Sequence, residues 1–73
     1  MKTNAQRETL EKHARRYQRT AAAFAKWAMD AREDGDFDKA SYCQWRAQVN
    51  ADKAQYFLRR LLRLSEYPAT SAA

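Results

Sequence analysis

Leu10, Tyr17, Phe24 and Ala31 recur every seven residues in the first half of the chain, with Ala14, Ala21 and Ala28 beside them. At about 100° per residue these positions form one stripe of a helix. Glu8, Lys12, Arg15, Arg16, Arg19, Lys26, Asp30 and Glu33 occupy the opposite face. Such a helix packs by its apolar stripe and is solvated on the other side. The second half is patterned differently. Ala40, Cys43, Ala47, Ala51, Ala54, Leu58, Leu61 and Leu62 make one apolar stripe. Tyr42, Trp45, Val49 and Tyr56 make a second, roughly 180° away on the same wheel. A helix that is apolar on two sides needs two partners.

The punctuation between and around these stretches sets the element boundaries. The single glycine stands at the midpoint, in Glu33-Asp34-Gly35-Asp36-Phe37-Asp38. Gly35 suits the left-handed conformation that ends a helix. Asp36 is a natural N-cap for the next helix, and Asp38 adds negative charge at the positive end of its dipole. At the outer ends, Thr3 to Gln6 fits a capping box, or Asn4 caps alone. Pro68 disfavours helix at Tyr67, so the second helix is expected to end near Glu66. The sequence therefore predicts an all-α antiparallel helical hairpin. Its two long helices span about 5–33 and 37–66, each roughly 45 Å long at the helical rise. Residues 1–73 read as one small helical domain with a frayed tail over 67–73.

The first helix can cover only the small-residue side of the second, which leaves the aromatic side over. Tyr and Trp bury ~150–250 Å² each. Three of them with Val49 approach or exceed the few hundred Å² that a soluble monomer ordinarily exposes in one patch. Tyr42, Trp45, Val49 and Tyr56 are thus the candidate protein interface. Either two hairpins pack as a four-helix bundle, or a different protein docks there, since Trp, Tyr and Arg dominate interface hot spots. A break near Asn50 would instead let the pieces of the second helix fold back over the aromatics. Asn50 could cap a third helix, or be a polar core residue that sets register.

Composition adds a charge polarity. The 73 residues carry 14 Lys+Arg and 9 Asp+Glu, a net charge of +5. Residues 30–38 alone hold a net −4, so the rest carries +9. In a hairpin turning at Gly35, residue i lies opposite about 71 − i. Arg15, Arg16, Arg19, Arg59, Arg60 and Arg63 then all fall in the open half, as a candidate basic surface. Partners of opposite sign follow: an acidic protein surface or a nucleic acid, whose binding would be salt-sensitive. Zinc-finger, RNA-recognition and KH signatures are absent from the sequence. The N-terminal residues Met1–Glu8 have no apolar h-region, and the longest apolar run, Ala21–Ala25, stops at Lys26. A cytoplasmic protein without a membrane association is the expectation.

Catalytic and metal chemistry find few groups. Cys43 and His13 are the only cysteine and histidine, and the hairpin places them roughly 22 Å apart along the rod. That separation denies a nucleophile its base. One His and one Cys supply neither a zinc tetrad nor a disulfide framework. Asp34, Asp36 and Asp38 alternate as in a calcium loop, but Trp45 stands where the twelfth-position Glu would be. Arg7 and His13 match the loose Arg-x-His spacing of HEPN ribonucleases, in a chain too short for that fold. No catalytic residue, cofactor or metal site is expected, and the chain reads as non-enzymatic.

Two resemblances bear on this reading. Gly35-Asp36-Phe37-Asp38-Lys39-Ala40 followed by Ala47 resembles the turn and second helix of a tetratricopeptide repeat, with Phe24 and Ala28 at that family's aromatic and small positions. The likeness covers one repeat and departs at Gln44 and Asp52. The whole chain, by size, Ala- and Arg-rich composition and hairpin pattern, resembles the small helical accessory proteins of temperate (lambdoid) phages. That resemblance implies a non-enzymatic modulator of a host process, acting by contact with a host protein or nucleic acid.

Overall fold

The structure, a computed structural model, describes residues 2–72, with side chains over 5–64. Helix α1 spans Lys2–Glu33 and α2 spans Phe37–Ala72, lying against each other as a hairpin 57 × 18 × 12 Å in extent. Both helices outrun their expected bounds. The outer caps expected at Thr3 or Asn4 rest on side chains outside the described ones, and the backbone there is already helical. α2 does not stop at Glu66 but carries through Pro68. A proline removes one backbone donor, and its effect on the preceding residue is a preference that an established helix overrides.

The turn is built as its chemistry dictates. Gly35 has φ 80°, the left-handed region. Asp36 N–H donates to the Ala31 carbonyl at 2.8 Å and Gly35 N–H to that of Arg32 at 3.1 Å, which together make a Schellman ending. Asp36 then caps α2: its Oδ1 accepts from Lys39 N–H at 3.1 Å. Asp36 thus closes the first helix and opens the second, and only Asp34, Gly35 and Asp36 lie between them.

The seam follows a four-three alternation on both helices. On α1 it runs Leu10, Ala14, Tyr17, Ala21, Phe24, Ala28, Ala31, every one buried or half-buried. On α2 it runs Ala40, Cys43, Ala47, Asn50, Ala54, Phe57, Leu61, Leu64, again all buried or half-buried. This is a two-stranded antiparallel coiled-coil seam. Its small residues draw the backbones together at the turn and in the middle. Three expectations for α2 are corrected. Leu62 is 63% exposed, because it lies about 100° around from Leu61 and past the edge of the seam. Phe57 takes the seam place, stacked on His13 at 5.1 Å and on Tyr17 at 5.6 Å. The helix does not break at Asn50, which sits 5% exposed within the seam and donates from Nδ2 to the Arg46 carbonyl at 2.8 Å.

The fully buried set is thin: Leu10, Cys43 and five alanines, with Asn50 the buried polar member among the described residues. No large side chain among them is completely enclosed. Such a seam supplies a few kcal/mol at most for a chain of this size.

Candidate interaction surface

The aromatic residues singled out from sequence do lie outside the seam. Tyr42, Trp45 and Tyr56 are 56%, 59% and 55% exposed, while Val49 is half-buried. Tyr42 and Trp45 touch, with ring centroids 6.3 Å apart. Tyr56 stands two turns beyond Val49, edge-on to Phe57 at 5.3 Å, and Arg60 lies over its outer face at 5.8 Å. The continuous helix holds all four on one side of α2.

The six arginines do not form one patch. Arg15, Arg16 and Arg19 line an open groove on the outer side of α1 with Glu8, Glu11, Lys12 and Thr20. There Arg15 pairs with Glu11 at 3.6 Å, an exposed ion pair of little energetic weight. Arg60 and Arg63 line a separate groove between the helix ends, with Gln6, Thr9, Tyr56 and Leu64. Arg59 is exposed and lines neither of these grooves.

Counting arginine clusters along the chain missed a more regular feature. Lys39, Arg46, Lys53 and Arg60 recur every seven residues, alongside the seam of α2. Arg46 Cζ lies 5.4 Å from the Phe24 ring centroid and Lys53 Nζ 5.5 Å from that of Tyr17. Each cation thus sits over a half-buried ring of α1. Arg46 Nε is buried there without a hydrogen-bond partner. The signal was the seven-residue interval itself, which keeps these cations at one flank of a heptad seam. Trp27 was missed as well. It is 50% exposed, packs edge-on to Phe24 at 5.2 Å, and shares a small depression with Asp30, Asp34, Lys39 and Cys43.

Cys43 is buried near the turn, whereas His13 is stacked on Phe57 in the open half. Among the described residues no three of His, Cys, Asp and Glu converge as a metal site would require. None of the helices, over the described residues, is long and apolar enough to cross a membrane. No family model, curated protein or solved structure matches the chain.

Proposed function

We propose that this protein is a non-enzymatic helical protein–protein interaction module, self-associating as a helical bundle and contacting a partner protein through Tyr42, Trp45, Val49 and Tyr56. The observation that carries this reading is the row of half-exposed aromatic rings on one unbroken helix. Rigid Tyr and Trp side chains offer large contact area at low entropic cost, and they are the residue types that concentrate binding energy. The basic residues flanking the row, Arg60 and Lys53 nearest, favour a partner with an acidic surface by steering its approach. The resemblance to temperate-phage accessory proteins extends the reading to a modulator of a host process. Partner capture tests it. Trp45→Ala is expected to weaken association by about 2 kcal/mol, roughly 30-fold, with little change in salt dependence. Retention unchanged in both Trp45→Ala and Tyr42→Ala would overturn the aromatic contact.

One observation favours a second reading, a basic nucleic-acid-binding accessory protein. Cations at seven-residue intervals beside aromatic rings suit a phosphate chain with stacked bases. A gel shift with random single- and double-stranded DNA at low and physiological salt decides it. Absence of a shift at low salt ends the reading, and a shift weakened by Arg60→Ala with a shallower salt slope supports it.

A further inference from the structure

The side of the hairpin away from the ring-stacked cations is built differently. At the open end Arg7 and Glu11 of α1 share a groove with Leu58, Leu61 and Leu62 of α2. At the turn end the Arg32 guanidinium donates to Gln44 Oε1 at 3.0 Å, tying the same side of both helices. Helical periodicity continues the face from these two marks. On α1 the positions are Gln18, Ala22, Ala25 and Met29, another four-three alternation. On α2 they are Ala51, Gln55, Leu58 and Leu62, with the same steps. No charged residue stands among these eight, on a chain that is 32% charged; Arg7 and Glu11 border them at the open end and Arg32 at the turn. Met29 and Leu62 are each 63% exposed, and Ala22 and Ala25 are exposed. A second heptad pattern on an open face is what a further pair of helices would fill.

We infer that this uncharged face binds a second copy of the chain, antiparallel, with the aromatic rows left outside. The inference uses the self-association in the reading above but not its aromatic contact. Two observations choose the occupant. First, the turn region carries a net −4 and the remainder +9. A side-by-side pair with both turns at one end sets acid on acid. A two-fold axis through the middle sets each turn against the basic open end of the other copy. Second, the same axis, at the level of Ala22 and Ala51, lays α1 against α1 and α2 against α2 of the other copy, so that Ala22 comes near Ala22 and Ala51 near Ala51 at the centre. The alanines at the centre let the two hairpins approach closely.

Light scattering on the full chain, with cysteine cross-linking, tests this. The wild type is expected at about 17 kDa, twice the 8.5 kDa chain. Leu62→Glu places a charge on the face in both copies and is expected to raise the dimer dissociation constant by at least about 100-fold, whereas Trp45→Ala leaves the mass unchanged. Orientation has its own readout, independent of whether Leu62→Glu folds. Ala22→Cys chains, with the substitution near the axis, cross-link between copies on mild oxidation, and Met29→Cys chains do not. A monomeric wild type at all concentrations overturns the inference and the self-association reading together. A dimer broken by Trp45→Ala but not by Leu62→Glu overturns the inference alone. Cross-linking of Met29→Cys with itself overturns the antiparallel order.

Discussion

Phe57→Ala is the substitution that most directly probes how this thin seam holds. Phe57 is half-buried and touches three rings, His13 at 5.1 Å, Tyr56 at 5.3 Å and Tyr17 at 5.6 Å. Full burial of a Phe side chain contributes about 1.5–3 kcal/mol, so half-burial gives about 1–1.5. Aromatic pairs add about 0.5–1.5 kcal/mol each beyond area, and with partial exposure the three together add about 1.5–2. The loss sums to about 3 kcal/mol, a factor of roughly 150 in the folding equilibrium. A chain of this size holds only about 3–5 kcal/mol in all. Urea unfolding followed by circular dichroism at 222 nm is the assay, at one protein concentration because association adds to apparent stability. With an m-value near 1 kcal/mol per molar, the midpoint should fall by about 3 M, to between about 0 and 2 M. Phe37→Ala is the control, since Phe37 is 67% exposed, and it should move the midpoint by under about 0.5 M. A loss below about 1 kcal/mol at Phe57, or an equal loss at Phe37, would refute the reasoning.

Other positions give equally definite expectations. Gly35→Ala meets open space, so its cost is the left-handed backbone alone, about 1 kcal/mol by thermal or urea unfolding, with Gly35→Asn costing less. Asp36→Ala removes the acceptor for Lys39 N–H and should cost a further ~1 kcal/mol; no loss would mean the cap is idle. Asn50→Leu exchanges a buried amide for apolar volume, so the unfolding midpoint should rise while light scattering shows a broader range of associated species; a lower midpoint would show that the amide stabilises the seam.

Much of this molecule is legible from local chemistry. Gly35 and Asp36 specify the turn because positive φ and an N-cap oxygen are single-residue properties. The α1 seam is legible because its charges lie opposite its apolar positions. The α2 seam is less so. Phe57, Leu58, Leu61, Leu62 and Leu64 spread over about 160° of the wheel, wider than one seam, so hydrophobicity alone does not say which of them face α1. The seven-residue interval from Cys43 through Asn50 to Phe57 and Leu64 settles it, and that interval includes a polar residue that an apolar count passes over. Along the chain, clusters of like residues are what stands out of the surface. The structure organises it by interval instead, as with Lys39, Arg46, Lys53 and Arg60 beside the rings of Tyr17 and Phe24. The aromatic row of Tyr42, Trp45 and Tyr56 was visible because it lies so far round the wheel from the seam that no register could bury both.

The three-residue turn has a consequence for how fast the chain finds its form. Each inter-helix pair joins residues whose numbers sum to about 71, so sequence separation grows steadily with distance from Gly35. The shortest-range pairs, such as Ala31 with Ala40, close over fewer than ten residues, and every later pair is added to a neighbour already formed. Assembly of this kind proceeds as a zipper from the turn, with little chain entropy lost at any single step, and falls in the microsecond-to-millisecond range of local helical topologies. Substitutions at the turn should then slow folding, while those near the open end, Phe57 among them, should chiefly speed unfolding.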